Sequence, residues 1–204
     1  MTPKANAIIL AGGNSTRLGE DKAFVPLNGI PLLTLTARRL HHVAKHLIIA
    51  GRSHFPVDIG LTTNITFAPD AILDGGPLVG VYSGLLASSA GLNLVVACDA
   101  PFVRPRLLAH LVAAASESDA DVAALKWDAR TQQLPAVYKR TAAAEIERAL
   151  NAGERSLTSF LDSVNVTLVT EATVREFDPN GRSFFNINTC DDLTVAERML
   201  AERS

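Results

Sequence analysis

The sequence predicts an α/β fold: a doubly wound, mostly parallel sheet with helices on both faces. Two observations lead to this prediction. Short apolar runs without polar alternation recur along the chain, and such runs are typical of strands buried on both faces. Segments with an apolar residue every three or four positions lie between these runs and are typical of amphipathic helices. Parallel strands joined by such helices form a sheet that is covered on each side.

The first half of the chain supplies three predicted strands. Residues 7–10 form an apolar run that ends at a Gly-Gly pair, and residues 47–50 form one that ends at Gly51. The run at residues 93–98 predicts the third strand. A helical stripe between the first two is formed by Leu33, Ala37, Leu40, Ala44 and Leu47. Residues 69–84 are rich in glycine and proline, but they carry a dense motif and are not interpreted as a linker.

The second half continues the alternation of helices and strands. The predicted elements are a helix over 107–115, strands over 122–125 and 134–138, helices over 142–150 and 156–161, a strand over 164–169 and a helix over 189–202. Thr189 and Asp192, at the start of the last helix, have the spacing of a capping box. No repeat or low-complexity tract interrupts the chain, so we expect one domain over residues 1–204.

Composition excludes several classes of protein. Hydrophobic residues make up 48% of the chain and charged residues 20%, which is too apolar for a disordered protein. The 19 basic and 21 acidic residues give a net charge of -2, so a broad basic surface for nucleic acid is not expected. No apolar run reaches the roughly 18 residues needed to cross a membrane, and no signal-peptide pattern is present. We expect a soluble cytoplasmic protein without a nucleic-acid or membrane partner.

The segment LAGGNSTRLGEDK, residues 10–22, follows the first strand and predicts a phosphate-binding loop. Gly12 and Gly13 let backbone N–H groups approach an anion closely. Arg17 can fork onto phosphate oxygens and Lys22 adds a point charge, so both are candidate catalytic residues. The loop matches neither the Walker A pattern nor GxGxxG, which argues against P-loop and dinucleotide-binding proteins. A plain strand-to-helix turn with surface charges is the alternative.

Two aspartates are candidate ligands for a nucleotide and its metal. Asp99 follows the apolar run of VVACDAP, at the carboxyl edge of the sheet where open α/β folds bind ligands. This carboxylate can hold Mg²⁺, which needs only one or two carboxylates in addition to phosphate oxygens. Asp70 precedes LDGGPLVG and could accept hydrogen bonds from a base or a ribose. Turn and helix-cap roles are the alternatives for both residues.

Two later motifs predict a second part of the site. NINTCDDL, residues 186–193, carries Asn186 and Asn188, which alternate along an extended segment and can therefore point into one pocket. QQLPAVY, residues 132–138, is the other motif. Helix capping by Asn188 or Thr189 is the alternative for the first motif, although capping and ligand contact can coexist.

In this order the motifs resemble those of the molybdenum cofactor guanylyltransferases, a family of the nucleotidyltransferase superfamily. The resemblance extends from residue 10 to residue 193 through LAGGNSTRLGEDK, LDGGPLVG, ACDAPF, QQLPAVY, AGERSL and NINTCDDL. It implies a Rossmann-like nucleotidyltransferase fold. It also implies that GMP is transferred from GTP to the terminal phosphate of Mo-molybdopterin, with release of pyrophosphate and with Mg²⁺ as the cofactor. The N-terminal part would bind GTP and the C-terminal part molybdopterin.

The resemblance also implies roles for individual residues. Those implied to contact GTP are Leu10, Ala11, Gly12, Gly13, Lys22, Asp70 and Asp99, the last through the metal. Those implied to catalyse the transfer are Arg17, Lys22 and Asp99. Those implied to contact molybdopterin are Gln133, Pro135, Asn186 and Asn188. Partnership with a molybdenum-insertion protein and with apo-molybdoenzymes rests on the resemblance alone.

Two comparisons with the family leave alternatives open. Some members carry an asparagine after the second strand that touches GTP, whereas residues 48–52 here read IIAGR. Candidates to replace that asparagine are the backbone of Ala50 or Gly51 and the side chain of Arg52. The double glycine of LAGG, in place of LAAG, resembles the guanylyl rather than the cytidylyl branch. Alternative functions are a molybdopterin cytidylyltransferase, another nucleotidyltransferase, and a non-catalytic module that binds nucleotide or molybdopterin.

Overall fold

The computed structural model describes residues 5–12, 21–54, 64–72 and 75–201. Its strands are β1 (Ala5–Leu10), β2 (Pro26–Leu27), β3 (Ile30–Pro31), β4 (His46–Ala50), β5 (Asn64–Ala68), β6 (Leu92–Ala97), β7 (Val122–Trp127), β8 (Arg130–Lys139) and β9 (Val166–Val169). Its helices are α1 (Leu32–Leu40), α2 (Gly76–Ala87), α3 (Pro105–Glu117), α4 (Ala142–Asn151), α5 (Leu157–Ser163), α6 (Glu171–Phe177) and α7 (Cys190–Ala201). None of these helices is long and apolar enough to cross a membrane.

One sheet organises the molecule, with the strand order β5-β4-β1-β6-β8-β7-β9. β1 pairs in parallel with β4 and β6, and β4 pairs in parallel with β5. β8 is antiparallel to both β6 and β7, and β9 returns parallel to β7. The mostly parallel sheet predicted from the sequence is therefore confirmed. β2 and β3 form a separate two-stranded ladder.

Side chains of the sheet point alternately into two cores. Ala7 and Ile9 of β1 belong to a core shared with α1, α3 and α6, whereas Ile8 belongs to a core shared with α2, α4 and α5. All three side chains are fully buried. Burial on both faces explains why the strand reads as a continuous apolar run, and it confirms the doubly wound arrangement. A third cluster joins β2 to α7.

Some elements differ from the predicted ones. The helical stripe predicted to reach Leu47 ends at Leu40, where the chain turns and the amides of Val43 and Ala44 both donate to the Leu40 carbonyl. Ala44 lies in this turn and Leu47 in β4, and both are buried, so the apolar spacing continues without the helix. β5, α2 and α6 were not predicted. α2 is apolar on most of its surface and rich in glycine, which hides its helical period.

Candidate active site

The sheet register aligns the ends of four parallel strands at one edge. Leu10 lies beside Ala50 and Ala97, and Ala50 lies beside Ala68. The residues two positions beyond this row are Gly12, Arg52, Asp70 and Asp99. Ligands of open α/β sheets bind outside the carboxyl ends of the strands. Register therefore brings together residues that are far apart in the sequence.

A pocket of about 280 Å³ opens at this edge, and we call it the strand-end pocket. Its lining residues are Leu10, Ala11, Gly12, Asp21, Lys22, Pro77, Ala97, Cys98, Asp99 and Leu134. It thus gathers most of the residues predicted to contact GTP. The Ala11 amide donates to the Ala50 carbonyl at 2.9 Å, so this N–H is used within the sheet. Gly13 and Arg17 lie outside the described residues.

The Lys22 ammonium joins two distant parts of the chain at this pocket. Its Nζ lies 2.6 Å from Asp99 Oδ2 and 2.6 Å from Asn188 Oδ1. The side chains of Lys22 and Asp99 are only 17% and 10% exposed, so water screens their attraction less than at an open surface. The opening motif and the last motif of the sequence therefore meet at one positive charge.

Asp99 carries a carboxylate oxygen suited to a cation. Its Oδ1 is buried and has no hydrogen-bond partner within the part of the chain that the structure describes. A buried anionic oxygen without a partner is costly, so a ligand at this position would stabilise the site. Mg²⁺ prefers carboxylate oxygens and takes its remaining ligands from phosphates and water. The donor at Asp99 therefore fits the metal implied by the family.

Asp70 lies two residues beyond the end of β5, next to Gly12, which lines the pocket. Its Oδ2 lies 3.1 Å from the position that a Cβ on Gly12 would take. Its Oδ1 is buried and unpartnered among the described residues, and burial raises the pKa of this carboxyl above its ordinary value. The Ala71 amide donates to Ser83 Oγ at 2.9 Å, which holds the loop that carries Asp70. A side chain at position 12 would therefore crowd this carboxylate.

The segment that lacks the family asparagine approaches the pocket with its backbone. Gly51 has a φ of 87°, and a Cβ on it would lie 2.4 Å from the Gly12 Cα. Arg52 donates from Nη2 to both carboxylate oxygens of Asp21, and its guanidinium lies 5.2 Å from the centroid of the Phe24 ring. In this segment, therefore, the Gly51 backbone packs closely against the Gly12 backbone. The Arg52 side chain is held by Asp21, the residue that precedes Lys22.

The second part of the predicted site is anchored by a helix cap. The Asn188 and Thr189 amides each donate to Asp192 Oδ2 at 2.9 Å, and the Asp192 amide donates to Thr189 Oγ1 at 3.2 Å. The capping box predicted at the start of the last helix is thus present. These bonds, first of all the one from the Asn188 amide, lower the pKa of Asp192. The cap fixes the backbone that presents Asn188 to Lys22.

The other residues predicted to bind molybdopterin lie elsewhere. Asn186 is exposed, and its carbonyl accepts a hydrogen bond from Asn188 Nδ2. Gln133 donates to Thr158 Oγ1 and lines a separate cavity of about 200 Å³, while Pro135 is buried. None of these three side chains lines the strand-end pocket.

An irregularity of β8 explains this placement. Ala124 pairs with Ala136 but Leu125 pairs with Gln132, so three residues of β8 are looped out between these two pairs. Of these three, Leu134 is the one that lines the strand-end pocket. Bulges commonly re-aim side chains next to active sites. The bulge interrupts the alternation of side chains along β8. The motif QQLPAVY alone therefore does not show which of its side chains faces the strand-end pocket.

A second and larger cavity, about 720 Å³, was not predicted from the sequence. It is lined by Trp127, Asp128, Arg130, Gln132, Asn180, Gly181, Arg182, Phe184, Phe185 and Met199, and we call it the hairpin groove. The β7–β8 hairpin forms one wall, and a loop about 50 residues later in the chain forms the other. Gln132 belongs to the motif QQLPAVY, and Phe185 directly precedes NINTCDDL.

The family described as MobA-like NTP transferase domain matches residues 7–167 of the chain. The chain belongs to this family. A protein of Pelotomaculum thermopropionicum, named probable molybdenum cofactor guanylyltransferase, is 34% identical over 98% of this chain and 95% of its own length. A protein of the same name from Methanosarcina mazei is 36% identical over 92% of this chain and 88% of its own length.

A solved structure supports the same assignment. Molybdopterin-guanine dinucleotide biosynthesis protein A from Archaeoglobus fulgidus is 28% identical and superposes with a TM-score of 0.80, over 97% of this chain and 99% of that one. The nucleotidyltransferase fold and the nucleotidyltransferase class of enzyme, both predicted from the motifs, are confirmed by these MobA-like relatives.

Proposed function

We propose that the protein transfers GMP from GTP to the terminal phosphate of Mo-molybdopterin, which yields molybdopterin guanine dinucleotide and pyrophosphate. The observation that carries the proposal is the Lys22 ammonium, 2.6 Å from both Asp99 and Asn188. One cation thus lies where the predicted triphosphate site and the predicted acceptor site meet. The names of the relatives support guanylyl transfer and the molybdenum cofactor as the substrate class.

The reaction needs positioning and charge neutralisation more than covalent chemistry. An oxygen of the acceptor phosphate attacks the α-phosphorus of GTP, the bond between the α-phosphorus and its bridging oxygen breaks, and pyrophosphate leaves with the electron pair. The acceptor is already anionic, so no covalent enzyme intermediate is required. The main barrier is the approach of two polyanions, which fixed positive charge in a shielded pocket lowers.

Lys22 supplies that positive charge. An ammonium has three N–H donors, and the contacts to Asp99 and Asn188 use two of them among the described residues. The third donor would contact a phosphate oxygen of GTP or of the acceptor. Arg17, which lies outside the described residues, stays a predicted second cation for the leaving pyrophosphate.

Asp99 would hold Mg²⁺ through Oδ1, the buried carboxylate oxygen without a partner among the described residues. Bound there, the metal would act as a Lewis acid and neutralise phosphate charge. Asp70 would accept a hydrogen bond from a ribose hydroxyl or a base N–H, since its Oδ1 is also buried without a partner in the described part of the chain.

The remaining expectations from the family belong to the same proposal. We infer one domain whose N-terminal part binds GTP and whose C-terminal part binds molybdopterin. A cytoplasmic location and transfer of the product to a molybdenum-insertion protein or to apo-molybdoenzymes are further parts of it.

Pyrophosphate release tests the proposal. The protein is supplied with Mg²⁺ and Mo-molybdopterin, with GTP in one reaction and CTP in another. GTP-selective release with a guanine dinucleotide product is expected. CTP-selective release would move the protein to the cytidylyl branch. Nucleotide binding without release in either reaction would favour the non-catalytic binding module.

A further inference from the structure

The strand-end pocket contains a carboxylate that the proposed reaction does not use. Asp21 lines this pocket next to Lys22, and its side chain is 39% exposed. The pocket is proposed to bind the triphosphate of GTP, and a free carboxylate in it would repel that polyanion. The charge of Asp21 must therefore be neutralised if the nucleotide is to bind well.

Arg52 supplies the neutralising charge. Its Nη2 donates to both carboxylate oxygens of Asp21, and its side chain is only 15% exposed. Its guanidinium also lies 5.2 Å from the centroid of the Phe24 ring. Hydrogen bonds between two charged groups are stronger than neutral ones, and low exposure reduces their screening by salt and water. Arg52 is thus held by Asp21 and Phe24, the two residues that flank Lys22 and Ala23.

Asp21 builds the turn that carries Lys22. Its Oδ1 accepts a hydrogen bond from the Ala23 amide at 3.1 Å, and its carbonyl accepts one from the Phe24 amide at 2.9 Å. Aspartate side chains commonly stabilise turns by accepting from an amide two residues later. Ala23 is fully buried, which fixes the other side of the turn. The position of the Lys22 backbone therefore depends on the position of the Asp21 carboxylate.

Arg52 is itself anchored at the strand ends. It follows Gly51, whose amide donates to the Ala68 carbonyl at 2.8 Å and whose backbone packs against that of Gly12. Gly12, Gly51 and Ala68 lie at the ends of β1, β4 and β5. The ion pair with Asp21 therefore ties the turn to the edge of the sheet.

We propose that Arg52 is a positioning residue for nucleotidyl transfer and that it acts through Asp21. It fixes the turn from which the Lys22 ammonium reaches Asp99 and Asn188, each 2.6 Å from Nζ. It also cancels a negative charge in the site for the triphosphate. This inference rests on the proposed function. Direct contact of the Arg52 guanidinium with GTP is the alternative.

The reactivity of the Lys22 amine tests the positioning role without any substrate. Wild type, Arg52→Ala and Arg52→Lys are treated with acetic anhydride, and mass spectrometry follows acetylation of Lys22 and of Lys139, whose Nζ donates to the Ser118 carbonyl. We expect Lys22 to react at least about fivefold faster in Arg52→Ala, because the turn opens more often. Arg52→Lys keeps a positive charge and should restore most of the protection. Lys139 should react at the wild-type rate in both variants, which would show that the fold is intact.

GTP affinity tests whether Arg52 acts through Asp21. Calorimetric titration with GTP and Mg²⁺ compares the wild type, Arg52→Ala and the double variant Asp21→Asn/Arg52→Ala. Arg52→Ala leaves an unpaired carboxylate in the pocket and should weaken binding about tenfold. The added Asp21→Asn removes that charge but keeps an acceptor for the Ala23 amide, so it should bring the affinity back to within about threefold of the wild type. Arg148→Ala, which breaks the exposed ion pair with Glu145 on α4, is the matched control and should bind GTP like the wild type.

The two measurements separate this inference from its alternatives and from the proposed function. Equal acetylation of Lys22 in the wild type and in Arg52→Ala would overturn the positioning role, and so would an equal rise at Lys22 and Lys139. A double variant that binds GTP as weakly as Arg52→Ala would identify Arg52 as a direct ligand of the nucleotide and overturn its action through Asp21. Absence of pyrophosphate release by the wild type, together with faster acetylation of Lys22 in Arg52→Ala, would overturn the proposed function and keep the role of Arg52 in holding the Lys22 turn.

Discussion

The two cavities at the sheet edge are built in different ways. The strand-end pocket is formed by residues that directly follow parallel strands and by the close contact of the Gly12 and Gly51 backbones. The hairpin groove is formed by side chains from a hairpin and from a distant loop, which meet through packing on Trp127. We therefore expect that a side chain added at Gly12 or Gly51 would destabilise the strand-end pocket. Truncation of a side chain in the hairpin groove should leave the protein folded and lower only its affinity for a ligand bound there. Five substitutions probe the strand-end pocket and the helix cap next to it.

The largest effect is expected at Lys22 and Asp99, the two charged residues proposed to act on both substrates. Lys22→Ala and Asp99→Ala should each lower kcat at least about 10²–10³-fold, because each removes a preorganised charge from a shielded site. Pyrophosphate release under saturating GTP and Mo-molybdopterin measures this loss. The exposed Lys45→Ala is the control and should keep wild-type turnover. Near-normal turnover in Lys22→Ala or Asp99→Ala would contradict the assigned roles.

Gly51→Ala should break the backbone-built pocket. The left-handed φ of 87° and a Cβ only 2.4 Å from the Gly12 Cα predict a loss of at least about 2 kcal/mol in the free energy of unfolding. Gly29→Ala separates the two causes, because its φ is also positive but no atom lies within 4 Å of the added Cβ. It should cost about 1 kcal/mol, and Gly91→Ala, which meets no atom, less than about 0.5 kcal/mol. Equal losses at positions 51 and 29 in urea unfolding would show that the glycine contact is unimportant.

Asp70→Asn should lower the affinity for GTP and raise the thermal stability of the protein. Burial raises the folded-state pKa of Asp70 above its ordinary value of 3.8, so the charged form destabilises the folded protein as pH rises through that folded-state pKa. The amide variant should therefore unfold at a higher temperature than the wild type at neutral pH, with the difference vanishing below pH 3.8. GTP affinity should fall about tenfold, because the amide has one acceptor oxygen in place of two and carries no negative charge.

Calorimetric titration with GTP and melting curves at several pH values check both halves of this prediction. Asp119→Asn, at an exposed position, is the control. A lower melting temperature in Asp70→Asn at neutral pH would show that a partner satisfies this carboxylate in the folded protein.

The smallest effect is expected at the helix cap that holds Asn188. Thr189→Ala removes the acceptor of the Asp192 amide and should cost about 0.5–2 kcal/mol of stability. Thr189→Ser keeps the hydroxyl and should restore most of it. Because the pKa of Asp192 is lowered, the contribution of its carboxylate is present at neutral pH and is lost as pH falls through that lowered pKa. Equal stability of the alanine and serine variants would exclude a capping role.

The sequence predicted residues of the strand-end pocket but not the hairpin groove, and the way each cavity is built explains why. Leu10, Gly12, Lys22 and Asp99 were recognisable because glycines and charges next to apolar strands leave a local signal, and the strand-end pocket gathers these residues. The capping box at Thr189 and Asp192 was recognisable for the same reason. Local patterns therefore pointed to residues that the register of the sheet then brings together at one edge.

The hairpin groove left no such signal. Its walls come from segments about 50 residues apart, and the bulge in β8 decides whether Gln132 or Gln133 faces it. The predicted extension of the first helix to Leu47 was wrong for a related reason. Ala44, in a turn, and Leu47, in β4, are both buried, so the apolar spacing continues beyond the end of the helix. Tertiary packing, which a single sequence does not encode in any short window, determines these features.

Isotope tracing tests guanylyl transfer most directly. GTP labelled at the α-phosphorus is supplied in one reaction and GTP labelled at the γ-phosphorus in another, each with Mg²⁺ and Mo-molybdopterin. The α-label should appear in the dinucleotide product and the γ-label in pyrophosphate, in equal amounts. A γ-label found in inorganic phosphate or on the acceptor, with the α-label left in free nucleotide, would contradict cleavage between the α- and β-phosphates and with it the proposed function.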